Sequence, residues 1–125
     1  MKKMKWLAAL AMVAAISSQA QAQPERAGDF TLIDHEGFAH QLSKYRFQNA
    51  VVFISQANSC TMNRENVARY KVLRTNFDHK GVGFFMLNAS VEDKKDEIKQ
   101  ETEVWNYDMP ILLDDTQLVA ESLGI

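Results

Sequence analysis

Two uncharged apolar runs, "AVVFIS" (Ala50–Ser55) and "VGFFMLNA" (Val82–Ala89), flank a stretch of helical periodicity. This arrangement constrains the fold more than any other feature of the chain. A continuous β-branched and apolar run reads as a strand covered on both faces. Between the runs, Val67, Tyr70, Leu73 and Phe77 recur at helical spacing, with Asn66, Arg69, Lys71 and Arg74 on the wet side. "HKG" closes that helix with basic residues and a glycine, Gly81. Strands joined through a helix need a crossover connection, so the two runs pair in parallel.

The flanking segments extend the pattern. "DFTLIDHEGFAHQL" holds two short apolar pieces around the turn residues "DHEG", which predicts a β-hairpin, with one helical turn near Ser43. Ser90, with Asp93 three residues on, resembles a capping box and predicts that a second helix starts there. Ile98, Thr102 and Trp105 form its apolar stripe, and its many charges read as a solvated face. "MPILLD" is a third short strand opened by Pro110, "DDTQ" a turn with an Asp or Thr cap, and "LVAESLGI" a short helix. Phe84, Phe85 and Trp105 are the expected core aromatics. The order hairpin, β, α, β, α, β, α predicts an α/β domain with a parallel core sheet.

The first residues carry a different message. Lys2, Lys3 and Lys5 precede the apolar stretch Trp6–Ile16, and Ala20-Gln21-Ala22 forms a small-residue cleavage site. That three-part pattern is a secretory signal, here residues 1–22, and its apolar part is too short to span a bilayer. The remainder, 23–125, is one domain by length, and export to a bacterial periplasm is the expectation. Without the three signal lysines, eleven basic residues face sixteen acidic ones. That balance excludes nucleic acid and, after signal cleavage, membrane surfaces as partners.

Within this exported domain stands one cysteine, Cys60, in "SQANSCTMNR". It lies where the first apolar strand hands over to the long helix. In open parallel sheets, sites gather at the C-terminal ends of strands beside helix N-termini. First-turn amides and the positive end of the helix dipole favour a thiolate there. Arg64, one turn on, adds positive charge. A single cysteine cannot form an internal bridge, so it reads as a reactive thiol, an intermolecular one, or a small buried hydrophobe.

Other chemistry is sparse. There is no Walker loop and no G-x-G-x-x-G, so no cofactor is expected. His35, His40 and His79 lack metal-ligand spacing, so no metal is expected. Cys60 with Met62 is a soft pair suited to copper(I), but Met62 reads better as a core side chain of the helix's first turn. Asp114 and Asp115 read as turn and cap residues.

Taken together, "AGDFTLIDHEGFAHQL", "VVFISQANSC", "CTMNRENVARYKVLRTNF", "KGVGFFMLNAS" and "MPILLDDTQLVAESLGI" resemble the redoxin group of the thioredoxin superfamily. That group includes the alkyl hydroperoxide reductase/thiol-specific antioxidant proteins. The resemblance runs from Gly28 to Ile125. It implies a thioredoxin-like fold and an antioxidant-type thiol oxidoreductase with Cys60 and Arg64 as catalytic residues. An external thiol or redox protein would serve as partner. The chain departs from the group's motifs in four places. Asn63 stands where a Cys-x-x-Cys would have its second thiol. Ala57 and Phe53 stand where peroxiredoxins carry threonine and proline, and Thr61 replaces a proline. The family continues past "LGI" through a cis-proline loop, a β-hairpin and a last helix. The expectation is therefore a domain lacking that C-terminal ββα and exposing a strand edge. The alternatives to a single-thiolate oxidoreductase are a non-catalytic binding module and a truncated, inactive redoxin.

Overall fold

The structure, a computed structural model, describes residues 26–125; the export signal expected at 1–22 lies outside the described residues. Strands β1 (Thr31–Asp34) and β2 (Ala39–Gln41) form the expected antiparallel hairpin. Its turn is held by Asp34, whose Oδ1 accepts the backbone N–H of Glu36, Gly37 and Phe38 at 2.9 Å each. Gly37 supplies the positive φ, 99°, that the turn needs. A 3₁₀ turn at Leu42–Tyr45 leads to β3 (Ala50–Gln56), α1 (Thr61–Asp78), β4 (Val82–Asn88), α2 (Lys95–Trp105), β5 (Ile111–Leu113) and α3 (Leu118–Leu123).

The five strands form one sheet in the order β2-β1-β5-β4-β3. β3 pairs with β4 and β4 with β5, both in parallel, as the βαβ pattern requires. β5 meets the hairpin through antiparallel β1. Each face of the sheet carries its own core. On one face, Phe84, Met86, Ile98, Tyr107, Met109 and Ile111 pack with Val67 and Tyr70 of α1. On the other, Phe85, Leu87, Leu112, Val119 and Ala120 pack with Phe30, Leu32, Tyr45 and Phe53. So α1 and α2 cover one side, and α3 with Tyr45 of the 3₁₀ turn covers the other. Each fully buried aliphatic side chain contributes roughly 1.5–3 kcal/mol by leaving water.

Four expectations need correction. First, β3 is not covered on both faces: Ala50 and Ser55 are exposed and Val51–Ile54 only half-buried. It ends the sheet, and among the described residues nothing pairs with its outer edge. Second, α1's stripe is sealed only near its start; Leu73 and Phe77 stay in part exposed beside that open edge. Third, α2 begins at Lys95, not after Ser90. Its N-cap is Lys94, and Glu97 reaches back to the Lys94 N–H at 3.3 Å. Asp93 is drawn instead into contacts with Asn58 and Asn88, which a local capping pattern cannot reveal. Fourth, Met62 is 70% exposed and Trp105 40% exposed, so neither is a core side chain. In the first turn of α1 it is Asn63 that turns inward, bonded to Ser55 O, which leaves Met62 outside, and Trp105, the last residue of α2, lies under the Arg64 guanidinium of α1.

Candidate active site

Cys60 is the N-cap residue of α1, with extended backbone (φ −69°, ψ 109°), just beyond the C-terminal end of β3. It is half-buried and free. The amides of Thr61, Met62 and Asn63 are those a helix leaves without intrahelical partners, and no side-chain cap takes them. The thiol therefore sits at the positive end of an 18-residue helix with no competing anion on its first turn.

The loop that presents Cys60 is built from the ends of β3 and β4. Gln56 and Asn88, a register pair on the two strands, bond side chain to side chain at 2.8 Å, and both are buried. Asp93 Oδ2 accepts Asn88 Nδ2 and the backbone N–H of Asn58, each at 2.8 Å. Cys60 N–H donates to Ala57 O at 3.2 Å. Ser59, next to the thiol, has φ 62°, a left-handed conformation that costs a non-glycine residue roughly 1–2 kcal/mol. That strain persists because the surrounding hydrogen bonds fix the loop on both sides of it.

Asn63 explains why a Cys-x-x-Cys partner has been replaced. Its side chain is almost wholly buried, at 5% exposure. Nδ2 donates to Ser55 O at 3.0 Å and Oδ1 accepts Ala57 N–H at 3.3 Å. The position that would carry a second thiol instead ties the helix back to the strand.

Arg64 points toward α2. Its Nε donates to Glu101 Oε1 at 2.7 Å and its Nη2 to Oε2 at 2.6 Å, a two-pronged ion pair. Its guanidinium lies 4.9 Å from the Trp105 ring centre, and Nη2 reaches 3.5 Å from Ser59 Oγ. The structure thus brings Cys60 and Arg64 together at one helix end, with the arginine's charge already paired. Beside them a groove of about 460 Å³ runs between the loop and α2, lined by Asn58, Ser59, Arg64, Asp93, Glu101 and Trp105. It is polar and open, and large enough for a small substrate or a partner's side chains.

Glu101 was hidden in a helix whose charges read as solvation. A signal for it existed: Glu101 sits between Ile98 and Trp105 at i+3, on the inward side of α2. Tyr107, buried in the core between α1, α2 and the sheet, had no sequence signal beyond its aromatic character. The histidines sit elsewhere. His35 is buried, and its Nδ1 accepts the Ile111 N–H at 3.1 Å. His40 bridges Asp34 Oδ2 and the Tyr45 hydroxyl, each at 2.7 Å, on the opposite face of the sheet. The N-cap of α3 is Gln117, in a left-handed conformation, and not the expected Asp or Thr; Asp114 instead reaches into the first turn, its Oδ2 accepting the Ala120 N–H at 2.7 Å.

Against known proteins, the profile of the AhpC/TSA family matches residues 24–125. No curated protein matches the chain. Among solved structures, an uncharacterised conserved protein from Geobacillus kaustophilus is 25% identical, with TM-score 0.68 over 83% of this chain and 59% of that one. Peroxidoxin BcpB from Mycobacterium tuberculosis is 22% identical, with TM-score 0.67 over 79% of this chain and 63% of that one. The thioredoxin domain of a thiol-disulfide oxidoreductase from Bacteroides vulgatus is 21% identical, with TM-score 0.63 over 79% and 71%. The chain thus spans less than two thirds of the first two structures, and the last two likenesses speak for the thioredoxin-like fold alone.

Proposed function

The chain belongs to the AhpC/TSA family, and from that premise we propose that it is an exported thiol oxidoreductase working through Cys60 alone. The observation that carries this reading is the place of Cys60: N-cap of α1, half-buried, and next along the chain to Ser59, which lines an open polar groove. A thiolate attacks the terminal oxygen of a hydroperoxide. The S–O bond forms as the O–O bond breaks, sulfur loses two electrons, and the departing alkoxide takes a proton to leave as alcohol. An external thiol then displaces the oxygen as water and leaves a mixed disulfide on Cys60. A second external thiol releases Cys60 and carries away the disulfide. Asn63 leaves the Cys-x-x-Cys position without a resolving thiol, so this cycle resolves through an external one.

The reading of export rests on the pattern of residues 1–22, which supports a periplasmic location. N-terminal sequencing of the secreted form should begin at Gln23. The activity is tested by hydroperoxide consumption with dithiothreitol as reductant, wild type against Cys60→Ser. Turnover lost in the variant supports the reading; equal rates refute it. A thioredoxin-like binding module is favoured by one different observation, the outer edge of β3, unpaired among the described residues, which can accept an added strand. A folded wild type whose Cys60 turns over neither hydroperoxide nor disulfide would favour that module.

A further inference from the structure

Among the described residues, the Tyr107 hydroxyl is the buried side-chain polar atom left without a hydrogen-bond partner. The residue is 7% exposed, and its ring belongs to the core between α1, α2 and the sheet. Burying a hydroxyl with nothing to bond is costly, so its placement needs a reason. Burial first, and then the charge of Glu101, push its pKa up to about 12, so it stays a protonated donor. Glu101, Arg64 and Cys60 all act on it electrostatically, and Glu101 is the strongest of the three.

The neighbouring ion pair shows what that donor can serve. Glu101 is 9% exposed, and each of its oxygens receives one hydrogen bond from Arg64. A carboxylate so buried cannot be abandoned by its cation unless another donor replaces it. Arg64 for its part already has a second contact, the 3.5 Å approach to Ser59 Oγ, next door to Cys60. It lies over the face of Trp105, which holds a guanidinium without fixing its direction.

We propose that Glu101 and Tyr107 are positioning residues that hold Arg64 in reserve. When Cys60 carries an anionic oxygen, Arg64 turns past Ser59 to pair with it, and the Tyr107 hydroxyl donates to the vacated Glu101 carboxylate. The proposal rests on Cys60 being the oxidised residue. The oxidant is a hydroperoxide, reduced to an alcohol as sulfur gains its oxygen; the arginine's movement makes and breaks only hydrogen bonds. The resting geometry then accounts for both oddities at once, a cation paired away from the thiol and a hydroxyl paired with nothing.

The test follows oxidation of Cys60 by hydrogen peroxide, by intact mass and by stopped-flow fluorescence of Trp105, the only tryptophan after residue 22. Tyr107→Phe keeps the ring and removes only the donor. It should slow oxidation by about tenfold, since a stranded buried carboxylate carries a penalty of that order, while thermal stability of the reduced protein does not fall. Glu101→Gln frees Arg64 and should speed oxidation several-fold. The fluorescence change that accompanies oxidation in the wild type should vanish in Arg64→Leu. Unchanged rates in Tyr107→Phe would overturn the proposal, as would equal slowing in Tyr107→Phe and Glu101→Gln, which marks both residues as merely structural. A wild-type Cys60 that peroxide does not oxidise would instead sink the underlying reading, and the arginine's reserve with it.

Discussion

Asn63→Ala is a sharp test of how the Cys60 loop is held. The substitution removes two hydrogen bonds, Nδ2 to Ser55 O at 3.0 Å and Ala57 N–H to Oδ1 at 3.3 Å. Each is worth about 1 kcal/mol net, and a backbone group stranded away from water adds up to about 1–3 kcal/mol. Ser55 and Ala57 are exposed residues, so water can recover part of that second penalty. Alanine also returns roughly 0.5 kcal/mol through its better helix propensity. The balance is a loss of about 1–2 kcal/mol, a sizeable share of the roughly 5–15 kcal/mol typical of a domain. For about 100 ordered residues this corresponds to a fall in Tm of roughly 5–15 °C. Urea unfolding of the reduced protein should show a lower midpoint with an unchanged slope. Asn63→Asp keeps the acceptor, loses the donor and buries a charge, so it should cost more than alanine. A change below about 0.5 kcal/mol in Asn63→Ala, or an aspartate variant as stable as wild type, would refute the structural role given to Asn63.

Further predictions concern the rest of the fold. For Asp34, burial pushes the carboxyl up, but the His40 hydrogen bond, the Phe38 amide, the His40 charge and the Glu36 amide outweigh it, and the net shift is downward from 3.8. A lowered carboxyl stabilises the fold above its unfolded value and stops doing so as pH falls through the folded one. Asp34→Asn should therefore destabilise at neutral pH, and the gap to wild type in a pH series of unfolding curves should shrink once the pH drops below about 4. Ile111→Ala empties a fully buried site between β4, β5 and α2 and should lose roughly 2–5 kcal/mol in the same assay. Met62→Lys, on an exposed first turn, should change stability by no more than about 0.5 kcal/mol, which a core position could not tolerate.

What could be read from the sequence divides along a physical line. Strand and helix identities followed from short-range periodicity, and the hairpin, the parallel pairings and the order of elements along the chain appear where the pattern put them, with α1 ending at Asp78, ahead of Gly81. The errors came where a distant partner decides. Asp93 left its capping role because Asn58, far off along the chain, and Asn88 at the end of β4 offered it better bonds. Trp105 looked like a core aromatic on the α2 stripe, but Arg64 of another helix holds it at the rim. β3 looked doubly covered because apolar content speaks for both faces of a strand and says nothing about its edge. For the site, Cys60 and Arg64 were legible from their spacing at a strand–helix junction. Glu101 left only a faint trace, its i+3 spacing from Ile98, because a buried carboxylate and a solvated one are the same letter until the facing helix is known.

The most direct measurement is the mass of the folded, reduced protein after brief exposure to equimolar hydrogen peroxide with dimedone present, mapped by peptide digestion. A nucleophilic Cys60 at the mouth of α1 should carry the dimedone adduct within seconds, and excess dithiothreitol added before the trap should prevent it. An unmodified Cys60 in the folded protein, labelled only after denaturation, would contradict the account and leave the family's architecture without its chemistry.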